Sequence, residues 1–291
     1  MPHQVPRPAP HSKQPSSHQV DSPLTNPGIG RAVSIAFALA GCRGLALLDI
    51  NISEAEETKK IIDSALTKAS LPTIPIHAIA CDVTREDSVN DAYATASSLL
   101  PRIDYSIHCA GIITFGAPST TTTVSDFDRQ NAINYRGLWM CSRQALTLMQ
   151  RQTLDCEAYP EAQIKPIRAQ RGSIVNISSG LALISQRDCP AYSGAKAAVT
   201  AITRSDAIDY VEHRIRVNAV LPGICDTPIT APTPEIRDFL TKSADGPVAR
   251  TPMKRLGFPE EIADTCVFVA GNRASFMTGS SIVVDGGTTA C

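Results

Sequence analysis

The chain of 291 residues is 43% hydrophobic and 19% charged, with a formal net charge of −1. This composition is typical of one large or two small α/β domains with a sizeable core. The balanced charge gives no electrostatic reason to expect nucleic acid or an anionic membrane as a partner, and no apolar run approaches the roughly 18–20 residues of a membrane span. We therefore expect a cytoplasmic protein that binds neither nucleic acid nor membrane.

Nine cysteines are scattered along the chain, and none forms a CxxC pair. Their odd number and their positions in apolar runs predict buried thiols in a reducing compartment rather than disulfides or a metal site. The first 23 residues are rich in Pro, His, Ser and Gln and lack the apolar core of a secretory signal. We predict a disordered tail over residues 1–23, followed by a single domain over 24–291.

Helical and strand-like patterns alternate after the tail. Helical periodicity after Gly30 ends near Gly41, and the continuous apolar run 44–50 predicts a strand buried on both faces. A capping-box pattern of Ser53 and Glu56 begins an amphipathic helix that extends to residue 70. Further strands are predicted at 76–83, 104–111, 172–179, 216–223 and 281–287, and further helices at 86–100, 125–151, 191–212 and 259–271.

Strands that alternate with helices imply parallel pairing through right-handed crossovers, with helices on both faces of the sheet. We predict an α/β fold with a doubly wound, Rossmann-like parallel sheet. In such sheets ligands lie beyond the carboxyl ends of the strands. The segment 225–257 is rich in Pro and Thr and departs from the compact pattern, so we predict that it forms a lid over the substrate.

Two features predict a dinucleotide site. Gly28-Ile29-Gly30 opens the first helix, as a phosphate-binding turn does. Asp49 lies 19 residues after Gly30, at the predicted end of the second strand, where a carboxylate accepts hydrogen bonds from an adenosine ribose. Because a 2′-phosphate would meet a like charge there, Asp49 favours NAD over NADP. The alternative is a helix-capping or solvated aspartate.

A second group of residues predicts carbonyl chemistry. Tyr192 and Lys196 are four residues apart in a predicted helix and share a face, although a plain surface pair has the same spacing. An ammonium beside a phenol lowers its pKa and favours the phenolate. Ser179 ends a strand 13 residues before Tyr192, so both hydroxyls can reach one carbonyl oxygen, one polarising it and the other exchanging its proton. Asn134 lies within a helix, either as a satisfied polar group or as the holder of a water that links the lysine to solvent.

Eleven short motifs accompany these residues between Gly28 and Gly287. They are, in chain order, GIGRA, LLDIN, CDVT, CAG, NYRG, SIVNISS, YSGAK, RVNAVLPG, DTP, PEEIA and TGSSIVVDGG. In order and spacing they resemble the short-chain dehydrogenases/reductases of the compact, single-domain type. The resemblance implies an NAD(P)-dependent oxidoreductase that forms a homodimer or homotetramer through the helices predicted at 125–151 and 191–212.

The resemblance also implies a role for each matching position. Tyr192 would be the general acid/base, Lys196 would lower its pKa and bind the ribose, Ser179 would polarise the carbonyl, and Asn134 would hold the relay water. The residues implied in binding the cofactor, from the pyrophosphate to the nicotinamide, are Gly28, Ile29, Gly30, Asp49, Asp82, Val83, Ala110, Gly111, Tyr192, Lys196, Pro222, Gly223, Ile224 and Thr227. The implied cofactor is NAD, with NADP less favoured, and no metal is implied.

The chain departs from the family pattern at two places. The family motif NNAG is HCAG here, so Cys109 replaces an asparagine. In the family, a buried strand precedes TGxxxGxG, but Pro23 and Leu24 occupy the Thr and first Gly positions, after the polar stretch SHQVDS. Proline cannot donate to a strand ladder, and buried polar side chains are costly. We therefore predict that the first central strand is degenerate or missing.

Three explanations of this N-terminus remain open. Residues 15–27 are the product of a gene-model error, they form a distorted strand that still binds cofactor, or the protein has abandoned redox chemistry.

Three functions also remain open. The first is an oxidoreductase that interconverts a secondary alcohol and a ketone. The second is a non-redox isomerase, dehydratase or cyclase of the same family that has lost efficient cofactor binding, and the third is a non-catalytic dinucleotide sensor or scaffold. The apolar residues and threonines of the lid predict a largely apolar alcohol or ketone as substrate.

Overall fold

A computed structural model describes residues 18–21, 28–114, 117–154, 166–231, 233–243 and 246–290. The strands in these ranges are β1 (His18–Asp21), β2 (Gly44–Asp49), β3 (Ile76–Ala80), β4 (Tyr105–His108), β5 (Gly172–Ile177), β6 (Ile215–Pro222) and β7 (Ser281–Val284). They form one sheet in the order β3-β2-β1-β4-β5-β6-β7, and each neighbouring pair is parallel. The strand order reverses between β1 and β4, which places the ligand crevice there.

Helices cover both faces of this sheet. They are α1 (Ile29–Leu39), α2 (Ile52–Lys68), α3 (Glu86–Leu99), α4 (Val124–Asn131), α5 (Leu138–Arg151), α6 (Pro190–Tyr210), α7 (Pro234–Lys242), α8 (Pro247–Arg250) and α9 (Pro259–Ala270). The apolar side chains of α1, α2 and α9 pack together on one face, and those of α3, α5 and α6 pack on the other. The prediction of a doubly wound, Rossmann-like α/β fold is confirmed.

The first central strand, predicted to be degenerate or missing, is present as four residues. His18–Asp21 pairs with β2 on one side and with β4 on the other. Hydrogen bonds to two neighbours satisfy the backbone of a strand whatever its side chains are, so the missing form of the prediction is wrong. The strand also removes residues 18–21 from the tail predicted over 1–23. Residues 1–17 and 22–27, with Pro23 and Leu24, lie outside the described residues.

The strands beside the crevice are fully buried, which explains their continuous apolar runs. Every residue of β2, β5 and β6 is buried. One of them, Arg216 at the start of β6, carries a charge. Its guanidinium donates to the carbonyls of Val269, Ala270 and Gly271 at 2.9, 2.6 and 3.1 Å. A cation at a helix C-terminus is favoured by the helix dipole, so this residue fastens α9 to the end of the sheet opposite the crevice.

The helix predicted over 125–151 is two helices joined by a π-helical turn at Ala132–Gly137. Gly137, at the end of this turn, packs closely against the loop that follows β3. A Cβ at Gly137 would lie 2.8 Å from the Val83 carbonyl oxygen. The predicted lid region 225–257 contains α7 and α8. Within the described ranges, none of the helices combines the length and the apolarity needed to cross a membrane.

Candidate active site

A cleft opens at the carboxyl ends of β4, β5 and β6. Four parts of the chain line it. The start of α1 contributes Gly28, Ile29 and Gly30, and the loop after β4 contributes Cys109, Gly111 and Ile112. The end of β5, the loop that follows it and α6 contribute Ile177, Ser178, Ser179, Tyr192 and Lys196, and the end of β6 with the segment after it contributes Pro222, Gly223, Cys225, Thr227, Ile229 and Thr230. The predicted phosphate-binding turn and the predicted catalytic side chains therefore share one cleft.

Ser179 and Tyr192 meet at the centre of the cleft. Ser179 follows β5 and caps a short 3₁₀ helix, where its Oγ accepts a hydrogen bond from the Leu181 amide at 3.1 Å. Because this bond occupies a lone pair, the hydroxyl proton of Ser179 points elsewhere. A hydrogen bond with Ser179 lowers the pKa of Tyr192, but burial raises it more, to about 12. The phenol therefore keeps its proton at neutral pH.

Lys196 is held behind Tyr192. Its side chain is 3% exposed, and its Nζ donates to the Ile177 carbonyl at 2.9 Å and lies 5.8 Å from the centre of the Tyr192 ring. Burial lowers the pKa of this ammonium to about 8. Burial is the largest influence on the pKa of Tyr192 in this arrangement, and the influence that lowers it comes from Ser179 rather than from Lys196.

Asn134 lies in the π-helical turn and is fully buried. Its Nδ2 donates to the Ile112 carbonyl at 2.8 Å, and its Oδ1 accepts from the Ile112 amide at 2.8 Å. The amide thus fastens the loop after β4, which lines the cleft. A Cβ on Gly111 would lie 3.0 Å from Asn134 Oδ1 and 3.4 Å from Lys196 Nζ, so a glycine at 111 is what keeps the lysine accessible from the loop.

The start of α1 presents unpaired backbone donors to the cleft. The amide of Ala32 is the first that bonds within the helix, to Gly28 O at 3.1 Å, and the amides before it lack a helical acceptor by construction. The first turn carries no acidic residue, and Gly28 supplies no side-chain cap. Such a helix N-terminus favours an anionic group such as a pyrophosphate.

Other predicted cofactor residues lie along the same edge of the sheet but outside the cleft lining. Asp49 ends β2, is fully buried, and accepts from the Asn51 amide at 2.7 Å. Asp82, after β3, accepts from the Thr84 amide at 2.9 Å and precedes the buried Val83. Ala110 is buried beside Gly111, and the Ile224 carbonyl accepts from the Gly257 amide at 3.0 Å. The structure therefore places these residues at the predicted edge without bringing them into contact with Ser179 or Tyr192.

Some cleft residues had no signal in the sequence. Ser178 donates to the Lys196 carbonyl at 2.8 Å and ties α6 to β5. Ile112 and Ile229 face the cleft from segments of irregular structure, where no periodicity marks the inward side. Among the described residues, no group of three or more His, Cys, Asp or Glu side chains is arranged to hold a metal ion.

Gly223 is the site where added volume should disturb the cleft most directly. A Cβ there would lie 2.6 Å from Asp285 Cα, so Gly223→Ala must displace the backbone that lines the cleft. We expect urea denaturation to show a loss of about 2 kcal/mol of unfolding free energy.

The control is Gly194→Ala in α6, where a Cβ would meet nothing within 4 Å. Because alanine is the better helix former, this variant should gain up to about 1 kcal/mol. Equal losses in the two variants would contradict the packing described for Gly223.

Comparison with known proteins gives a consistent result. The family model of the short chain dehydrogenases matches residues 25–238. The chain is similar to the short-chain dehydrogenase fogB of Aspergillus ruber, with 37% identity over 266 residues, which cover 90% of this chain and 93% of that protein. It is also similar to the cis-4-hydroxycyclohexanecarboxylate dehydrogenase of Sinomonas cyclohexanicum, with 34% identity over 265 residues, 90% of this chain and 93% of that protein.

A solved structure shares the whole fold. The crystal structure of a short-chain type dehydrogenase/reductase from Mycobacterium marinum superposes with a TM-score of 0.79 and 25% sequence identity, covering 95% of this chain and 97% of that one.

Proposed function

The chain belongs to the short-chain dehydrogenase family, and on that premise we propose that it is an NAD(P)-dependent oxidoreductase that interconverts a secondary alcohol and a ketone. The observation that carries this proposal is the single cleft that the α1 N-terminus and the side chains of Ser179, Tyr192 and Lys196 line together. A non-catalytic sensor has no need of the three side chains, and a catalyst without a dinucleotide has no need of the uncapped helix.

The residues of the cleft fit a dinucleotide. The free amides at the start of α1 suit its pyrophosphate, and Gly223, which has no side chain, leaves room beside the segment after β6. Lys196 Nζ, which bonds to the Ile177 carbonyl in this structure, would donate to a ribose hydroxyl of the cofactor. The nicotinamide of such a cofactor supplies or accepts the hydride.

The chain's own residues handle the proton and the carbonyl oxygen. Because the pKa of Tyr192 is about 12, its phenol is a proton donor, and in the direction of reduction it would pass its proton to the alkoxide oxygen as the carbonyl carbon is reduced. Ser179 Oγ accepts from the Leu181 amide, and its O–H, when it turns from Tyr192, would donate to the same oxygen. Lys196 keeps a positive charge near the resulting phenolate at pH values below about 8.

The test is turnover with a panel of cyclic and aliphatic ketones and secondary alcohols, followed at the absorbance of NADH. We expect a substrate in the panel to be converted only when NADH, NADPH or the oxidised forms are added. Conversion by protein stripped of nucleotide would instead support the non-redox isomerase, dehydratase or cyclase.

We propose a largely apolar alcohol or ketone as the substrate. Ile112, Cys225 and Ile229 line the cleft near Tyr192, with Thr227 and Thr230 as the neutral polar groups. Among the described residues that line the cleft, Lys196 is the one with a positively charged side chain, and it lies beside Tyr192. The relative from Sinomonas cyclohexanicum is named for a carboxylate substrate; this chain shows no second cation in the described lining to bind such a group.

We propose NAD as the preferred cofactor, because Asp49 lies at the carboxyl end of β2. Asp49→Asn keeps an acceptor for the Asn51 amide but removes the charge that repels a 2′-phosphate. We expect the ratio of NADPH to NADH affinity to rise about tenfold, a difference of about 1.4 kcal/mol, measured by titrating the cofactor fluorescence. Asp91→Asn, at an exposed position of α3, is the matched control, and an equal change there would contradict the assignment.

We propose a homodimer or homotetramer in the cytoplasm. Large apolar side chains on α4, α5 and α6 are exposed, among them Phe127, Trp139 and Ile208, and burying them against a second copy would be favourable. The cysteines in the described ranges are free thiols, which is compatible with the reducing compartment proposed here. Light scattering should give at least twice the monomer mass, and Ile208→Glu should lower it.

A further inference from the structure

Five polar side chains lie buried near the carboxyl ends of β4 and β5, and the reaction proposed above uses none of them. They are Tyr93, Ser106, His108, Asn176 and Thr203, each at most 1% exposed. Buried polar groups weaken a protein unless they are paired. These five side chains are hydrogen-bonded to one another, and the donor and the acceptor can be assigned for most of the bonds.

The donors and acceptors can be assigned by starting from Thr203, which lies in α6. Thr203 Oγ1 donates to the Val199 carbonyl at 2.8 Å, and it accepts from Asn176 Nδ2 at 2.9 Å. The remaining amide atom, Asn176 Oδ1, lies 2.8 Å from His108 Nδ1. Because a carbonyl oxygen only accepts, Nδ1 of His108 must carry a proton.

The other ring nitrogen completes the chain. His108 Nε2 lies 2.9 Å from Ser106 Oγ and 3.2 Å from the Tyr93 hydroxyl. Burial lowers the pKa of His108 to about 4, so the ring is neutral at pH 7 and Nε2 accepts from a hydroxyl. The chain of bonds therefore runs from α3, through β4 and β5, to α6.

The chain ends on the helix that carries the catalytic side chains. Asn176 and Ser178 are two residues apart, so they project on the same side of β5 and its extension. Ser178 holds the Lys196 carbonyl and Asn176 holds Thr203. Lys196 and Thr203 are seven residues apart, or about two helical turns. These two bonds fix both the height and the rotation of α6 on the sheet.

We propose that His108 is a positioning residue, which holds Asn176 in the orientation that fastens α6 to β5 and thereby places Lys196 and Tyr192 in the cleft. His108 occupies the first position of HCAG, where the family motif NNAG has an asparagine. The effect on turnover rests on the proposed function, whereas the effect on Lys196 rests on the geometry alone.

Three variants distinguish the role of Nδ1 from the role of Nε2 in the His108 ring. His108→Leu removes both bonds, His108→Asn keeps an N–H donor close to the place of Nδ1, and Ser106→Ala removes a partner of Nε2 only. The first readout is the pKa of Lys196, measured by NMR on protein with isotope-labelled lysine, with the signal assigned by Lys196→Arg.

Burial lowers the pKa of Lys196 to about 8 from an ordinary 10.5, so loosening α6 should raise it. We expect a rise of about one unit in His108→Leu and no change in His108→Asn or Ser106→Ala. If His108→Leu does not fold, Thr203→Val breaks the same chain at its other end, with Thr203→Ser as its conservative control.

The second readout is turnover. His108→Leu and Thr203→Val should each lower kcat about tenfold and move its pH profile, and the double variant should be no worse than either single one because both break one chain. A folded His108→Leu or Thr203→Val protein with an unchanged Lys196 pKa and pH profile, and only a lower Tm, would overturn the proposal. If no turnover is found in the unaltered protein, the proposed function fails, but the Lys196 titration still decides the role of His108.

Discussion

Tyr192→Phe is expected to lower kcat about a thousandfold, the middle of the range for removal of a general acid/base. The substitution removes the hydroxyl that bonds to Ser179 and keeps the ring that packs against Lys196. Cofactor affinity should therefore change little, and the loss should appear in kcat rather than in binding. Steady-state kinetics with the substrate from the panel, together with a titration of cofactor fluorescence, separates the two.

Tyr210→Phe is the control for this result. Tyr210 ends the same helix, and its ring packs against His213 at 6.1 Å between ring centres, away from the cleft. It should keep full turnover. A Tyr192→Phe enzyme that retains most of its kcat would remove the proton-transfer role from Tyr192.

The second large effect is a loss of stability in acid that depends on His108. The pKa of His108 is about 4 in the folded protein, whereas a solvated histidine of the unfolded chain has a pKa of 6.5. Between these values the unfolded chain binds more protons, so stability is complete above pH 6.5 and decreases as the pH falls to 4. The difference of about 2.5 units corresponds to about 3 kcal/mol of unfolding free energy.

Urea denaturation at several pH values, compared between the unaltered protein and His108→Asn, isolates this contribution. Carboxyl groups titrate in the same range, but they are common to both proteins. Glu261, whose pKa the hydrogen bond with Arg255 lowers from 4.5 to about 2, begins to lose its contribution near pH 4.5 and loses most of it in stronger acid. The unaltered protein should lose about 3 kcal/mol more than His108→Asn between pH 6.5 and 4. Parallel stability curves for the two proteins would show that His108 is not held neutral by burial.

Much of this fold follows from the sequence because its strands are buried on both faces. The strands β2, β5 and β6 are mostly apolar, and such runs between helical patterns leave few arrangements other than a parallel sheet. Ser179, Tyr192 and Lys196 were identified by residue type and spacing, and the structure brings all three to one cleft.

Other features depend on contacts that no local pattern records. The strand His18–Asp21 exists because neighbours bond to it on both sides, although its sequence is polar. A helical period does not reveal the π-helical turn at 132–137. The pKa of Tyr192 was expected to be lowered by Lys196, but burial, which sequence spacing does not show, raises it, and the hydrogen bond that lowers it comes from Ser179.

The same limit applies to His108 and Asn134. A lone buried histidine or amide gives no sign of its partners, and the partners here lie 68 and 22 residues away, at Asn176 and Ile112. Neither contact could be derived from spacing, because one depends on how two strands lie side by side and the other on how a loop lies against a helix.

The most direct measurement for the central claim is a fluorescence titration of the purified protein with NADH and NADPH. The claim is that the amides at the start of α1 and the side chains of Tyr192 and Lys196 form one dinucleotide site, served by the short strand β1. We predict saturable binding of NADH, weaker binding of NADPH, and a clear loss of NADH affinity in Lys196→Met. Failure of both nucleotides to bind to the folded protein would contradict the account.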